Sequence, residues 1–160
     1  MYRKLDDFIQ EWEDSSKGTI SIFEAITDEK KSFEIVEGHN SLEWLSWHLT
    51  NSPAYFMSLI GLNLKVKLNP AEVPQTIKAI TEAYKQVSEN IVQTVKESLT
   101  DEELLKEVDS HGQPTAIGSL LRKMIDHQTH HRAQMQVLIR QAGLTVPGIM
   151  GPTKEAVSSK

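Results

Sequence analysis

The sequence contains no cysteine. Disulfides, thiolate-held metals and a cysteine nucleophile are therefore excluded, and any metal must be bound by histidine, carboxylate or water. No apolar run approaches the ~18 residues of a membrane span, and the N-terminus, MYRKLDDFIQEWED, lacks the apolar core of a secretory signal. Lys and Arg number 17 against 22 Asp and Glu, for a net charge of −5, and nowhere form a basic stripe. Nucleic acid and anionic membrane are thus poor partners, and a cytoplasmic location is expected. Glycine-rich phosphate loops are missing, and so is HExxH, because Gln128 follows His127. The paired Glu-x-x-His signature of di-iron bundles is absent too. Convincing β alternation and internal repeats are also lacking. The 160 residues suffice for one domain with a core of its own.

What is present is helical periodicity. Leu5, Phe8, Ile9, Trp12, Thr19, Ile20, Phe23 and Ile26 recur three and four residues apart, predicting a helix over 2–27 that Ser15, Ser16 and Gly18 would bend. Asn40 or Ser41, with Glu43, can cap a second helix running to Gly61. On it Trp44, Leu45, His48, Tyr55 and Leu59 are expected to share an inward face, and Pro53 cannot donate to the Leu49 carbonyl. After a loop over 63–74, Ile77, Ile80, Tyr84, Val87, Ile91 and Val95 mark a third helix over 75–98. Thr100 and Glu103 form a capping box expected to open a short helix through Val108. DSHGQP over 109–114 is turn chemistry. Thr115 is expected to cap a fourth helix ending at Gly143, with Pro147 beyond. The fold class is therefore all-α, a four-helix bundle with long connections. The bundle is assigned to residues 1–150, and 151–160 are expected to be a mobile tail.

The fourth helix carries the chemistry. His127 and His131 lie four residues apart, so both imidazoles leave one face, among Ile117, Leu120, Leu121, Met124, Met135 and Leu138. Core histidines satisfied by polar neighbours are the ordinary alternative. A third inward histidine, His48, weighs against it, because three imidazoles in a bundle interior form a metal site with positions open to ligand. His130 falls about 60° round the helix from His127 and could support a ligand or carry protons, with an exposed rim position equally open. His39 and His111 read as surface residues. Asp126 and Glu43 could orient ligands but read better as solvated charges. Trp44, Trp47, Tyr55 and the methionines at 57, 124 and 135 read as core.

GHNSLEWLSWHL in the second helix and DHQTHHRAQMQVLIRQAG in the fourth resemble the DinB family of metal-binding four-helix bundles. The likeness runs through His48, then His127, His130, His131, Arg132, Gln134, Arg140 and Gly143, with Ala133 where many members have glycine. It implies a divalent metal, zinc or nickel, on His48, His127 and His131, with water completing the site. It also implies a small-molecule substrate. Some relatives are thiol-dependent S-transferases using bacillithiol or mycothiol; others are labelled metal-dependent hydrolases.

Three functions follow as expectations. The first is a thiol S-transferase in which metal and a low-molecular-weight thiol cooperate, since a histidine-only site has no built-in carboxylate base. The second is a hydrolase using metal-bound water. The third is a non-catalytic, stress-related metal-binding protein. Arg122, Arg132 and Arg140 are candidates for a basic rim that would hold a thiol cofactor's carboxylates, and all three read equally well as solvated helix charges. A homodimer is expected from the pairing habits of such bundles, although no residue marks the interface.

Overall fold

The computed structural model describes residues 1–158. Four long helices dominate: α1 Leu5–Glu24, α2 Leu42–Leu59, α3 Ile77–Ser98 and α4 Ile117–Gln141. Ser41 caps α2, its side chain accepting from Trp44 N at 3.1 Å, and Thr76 caps α3 by accepting from Ala79 N at 3.2 Å. Gly143 takes φ 79° after α4, and Leu144 N donates back to Ile139 O at 3.0 Å, closing the helix as a glycine C-cap does. α1 is one continuous helix through Ser15, Ser16 and Gly18.

The core has two apolar halves. One gathers Phe8, Trp12, Met57, Ile91, Val95, Leu120 and Met124. The other gathers Ile22, Phe23, Leu45, Leu49, Ile80, Tyr84, Met135 and Ile139. Along the chain, α1 and α4 run from the first half to the second, while α2 and α3 run from the second to the first. The topology is therefore up-down-down-up. α1 packs on α3 and α4, and α2 packs on the same two helices, which puts α1 diagonal to α2. Because α2 and α3 are parallel, the chain must return along the bundle between them. α2 has 18 residues, about 27 Å at 1.5 Å per residue, so a tight turn cannot make that connection. Residues 60–76 make the run, pinned where Asn90 Oδ1 accepts from Lys65 N at 2.7 Å and where Trp47 Nε1 donates to Pro70 O at 2.9 Å.

Between the apolar halves lies a belt of buried polar side chains: Ser15, Ser16 and Thr19 from α1, Ser46 and Thr50 from α2, Ser88 from α3, Gln128 and Arg132 from α4. Pro53 leaves the Leu49 carbonyl without its intrahelical donor, and Gln128 Nε2 supplies one from α4 at 3.1 Å.

The segment before α4 corrects the sequence reading. The capping box forms, with Glu103 Oε2 accepting from Thr100 N at 2.8 Å, but the helix it opens is a single 3-10 turn, Glu103–Leu105. The chain then makes a hairpin, β1 Glu107–Ser110 pairing antiparallel with β2 Gln113–Ala116. His111 and Gly112 at its tip take φ 55° and 78°, the paired left-handed conformations of a two-residue turn. Thr115 belongs to β2 and caps nothing; Ile117 N is met by Lys106 O at 2.9 Å. Gly118 is required by packing, since a Cβ there would stand 2.1 Å from the Tyr2 carbonyl oxygen. Beyond Val146, a short helix α5, Lys154–Ser158, is tied to α4 by Arg140 Nε donating to Glu155 Oε1 at 2.7 Å. Of the expected tail, residues 159–160 lie outside the described residues.

Candidate metal centre

α2 and α4 are adjacent and antiparallel, and at the level of the polar belt they bring His48 against His127 and His131. The three residues offer ring nitrogens that all lie within 4.8 Å of one another. His48 Nε2 and His127 Nε2 are 3.1 Å apart. Two imidazole nitrogens bound tetrahedrally at about 2.0–2.1 Å from zinc would stand about 3.3 Å apart, so the pair is already near ligand spacing.

The surroundings favour the unprotonated rings that metal binding requires. Burial, then the charges of His131, His48 and His130, hold the His127 pKa down to about 4. Burial followed by His131 lowers His48. Burial also lowers His131, against a partly opposing hydrogen bond from Gln134. His131 Nδ1 pairs with Gln134 Oε1 at 2.8 Å; as that oxygen accepts, the ring proton is assigned to Nδ1 and the Nε2 lone pair is free. His127 Nδ1 is buried without a hydrogen-bond partner, an unmet cost of the kind that folds retain at functional sites. The donor set, its spacing and its neutrality fit a borderline divalent ion such as zinc or nickel.

Aromatic rings frame the centre. The Trp44 indole stacks on His48 with centroids 4.8 Å apart and planes 11° apart, and Phe56 meets His127 edge-on at 5.4 Å. A groove of about 300 Å³ beside His48 is walled by Trp44, Trp47, Asn51, Pro70 and Val73. A second, of about 310 Å³, runs past Gln134 between Ile35, His39 and Val137.

Trp44 and Tyr55 do not join the core: they are 46% and 48% exposed. Leu45 is buried on the inward face of α2 as expected, and Leu42, Leu49 and Met57 complete that face, with His48 half-buried at its edge. Trp47, Met57, Met124 and Met135 are buried as expected. His130 is exposed and contacts Gln134. His39 is exposed, and the exposed His111 lies 2.7 Å from Tyr55 Oη. Asp126 is bound by Arg122 and Glu43 by Lys31, so both are ordinary ion-paired charges.

The basic rim does not form from the three arginines. Arg122 spans Glu11 and Asp126, and Arg140 pairs with Glu155. Arg132 is 7% exposed, where Nη1 donates to Ser15 O, to Ser15 Oγ at 2.9 Å and to Thr19 Oγ1 at 3.3 Å. Sequence reasoning missed that role, and it missed Gln128, which is fully buried. The available signal was position. Gln128 and Arg132 continue the four-residue ladder from Met124, so they are polar residues on a buried stripe.

Comparison with known proteins agrees with this architecture. The YrdA protein of Bacillus subtilis strain 168 is 38% identical over 155 residues, covering 97% of this chain and 93% of that protein. A crystal structure of a DinB-like protein from Bacillus cereus ATCC 10987 superposes with a TM-score of 0.87 at 36% identity, covering 93% of this chain and 99% of that one. A second, of the DinB-like protein YjoA from Bacillus subtilis, gives 0.70 at 22% identity over 89% and 96% of the two chains, which speaks to the fold alone. The DinB family model matches residues 1–158. On that match, and on the helical segments that carry the three histidines, the chain belongs to the DinB family.

Proposed function

We propose that the protein is a metal-dependent enzyme of the thiol S-transferase type, with zinc or nickel held by His48, His127 and His131. One observation carries the reading: three ring nitrogens converge where burial disfavours their protonation, and no carboxylate among the described residues joins their cluster. A divalent ion bound there supplies the positive charge that turns a low-molecular-weight thiol into its thiolate. The chain's own residues do the rest. Gln134 holds the His131 ring so that Nε2 is offered, and the Trp44 and Phe56 rings pack against His48 and His127 and steady them. The groove beside His48, with two indoles, Pro70 and Val73 in its walls, suits an apolar electrophile better than a highly charged one. With Arg122, Arg132 and Arg140 engaged elsewhere, a carboxylate-rich thiol gains no support from them. Hydrolysis is less well supported, because Asp126 and Glu43, the carboxylates weighed for a role at the site, are held by Arg122 and Lys31 and not offered as a base.

The test begins with elemental analysis of untagged, chelator-free protein beside His48→Ala and His127→Ala. The expected result is about one zinc or nickel per chain, lost in both variants. A panel of thiols and apolar electrophiles should then show conjugation that stops on chelation. Ester turnover without thiol would instead select the hydrolase. Metal-induced stabilisation without turnover of either class would leave a binding protein, and no metal uptake would reject the reading.

A further inference from the structure

Leu49 follows His48 and Gln128 follows His127, so the contact between Gln128 and the Leu49 carbonyl lies one residue behind the contact between the two imidazoles. Its origin is Pro53, which has no N–H to give to that carbonyl. Leu49 and Gln128 are both fully buried, so water does not compete, and an unmet carbonyl there would be costly. Gln128 Nε2 meets it at 3.1 Å. On the other side of the amide, Gln128 Oε1 accepts from Tyr84 Oη at 3.0 Å and from Thr19 Oγ1 at 3.2 Å. A carbonyl only accepts and the two hydroxyls can donate, so the amide has one consistent orientation. One side chain on α4 thus bonds to α1, α2 and α3.

We propose that Gln128 is the positioning residue of the histidine triad. By bonding to the carbonyl that Pro53 frees, it sets the register and spacing of α2 against α4, and so the separation of His48 from His127. Apolar packing between the helices is non-directional and would tolerate a small slide; a hydrogen bond one residue from each imidazole does not. Tyr84 and Thr19 act a step further out, holding the amide so that its N–H₂ faces α2. The inference rests on the metal reading above.

Cobalt(II) serves as a probe of geometry independent of turnover. Full-length wild type, Gln128→Met and Tyr84→Phe would be titrated with cobalt alone, following d–d absorption, with circular dichroism checking that each is folded. Methionine keeps the length and apolar volume of glutamine but not its amide; phenylalanine removes one of the two donors to Oε1. Folded Gln128→Met should bind cobalt about tenfold more weakly, as outer-shell changes do, with an altered d–d spectrum. Tyr84→Phe should shift both in the same direction by less. Wild-type affinity and spectrum in folded Gln128→Met would overturn the inference; should that variant not fold, the same result in Tyr84→Phe would do so. A wild type that binds no cobalt would overturn the metal reading and this inference with it, which distinguishes the two failures.

Discussion

Replacing His127 with leucine changes the metal-free protein little at neutral pH, and the reason lies in two opposed terms. The substitution removes the buried Nδ1 that has no partner, a gain of about 1 kcal/mol, taken from the low end for an unmet polar group because the ring is half-buried. It also removes the 3.1 Å contact with His48 Nε2, a loss of about 1 kcal/mol. The remaining apolar contact with Phe56 is one that leucine can keep. Metal-free His127→Leu should therefore unfold within about 1 kcal/mol of wild type at pH 7, or within about 3 °C for a chain of this size.

Acid separates the two. The His127 pKa is about 4 in the fold against 6.5 unperturbed, so between those values the unfolded chain carries a proton that the native ring refuses. Native stability is then complete above pH 6.5 and falls as the pH drops toward 4. The full linkage would be about 3.4 kcal/mol; solvent screening of a half-exposed ring reduces it to about 1–2 kcal/mol. Wild type should lose that much more than His127→Leu between pH 7 and 4. Zinc acts in the other direction. At a hundredfold excess over Kd it adds about 2.7 kcal/mol to a protein that binds it, a rise of about 5–10 °C, and nothing to the variant. Thermal unfolding with chelator, across pH, and with zinc reads all three effects. A loss above about 3 kcal/mol in metal-free His127→Leu at pH 7 would mark an ordinary core residue and refute the reasoning, as would equal zinc stabilisation of both proteins.

Gly118→Ala should cost at least about 2 kcal/mol in urea unfolding, because its Cβ would stand 2.1 Å from the Tyr2 carbonyl and lift the segment that donates Tyr2 N to Gly118 O at 3.1 Å; unchanged stability would show the segment moves freely. Arg132→Lys keeps the charge but not the fork that reaches Ser15 and Thr129 together, and should lose about 2 kcal/mol in the same assay. Nickel should quench part of the tryptophan emission, and Trp44→Phe should remove most of that quenching, since Trp44 is the indole stacked on His48; a quench that survives the substitution would place the metal elsewhere.

The helices were legible because each long one carries an apolar stripe, and the triad because two of its members stand four apart on such a stripe. The hairpin was not. Strands of four residues are too short for alternation to register, and a capping box followed by Leu104 and Leu105 reads as a helix whether or not tertiary packing lets it continue. α2 misled in another way. Its apolar residues surround most of the helix, so periodicity could not tell the buried Leu45 and Leu49 from Trp44, which opens on solvent against His48.

The belt of buried polar groups escaped for a deeper reason: its partners are far apart in sequence, Gln128 meeting Thr19, Leu49 and Tyr84. Helix geometry nevertheless makes that belt inseparable from the site. Successive residues on α4 are turned by about 100°, so His127 and His131 form one ladder and Gln128 and Arg132 the next. The first ladder faces His48. The second grips α1 through Arg132 and all three other helices through Gln128. A slide or rotation of α4 that altered the second ladder would carry the first with it. The spacing of the three imidazoles is thus a property of the whole bundle's polar centre, and substitutions there should register in metal affinity before they register in helicity.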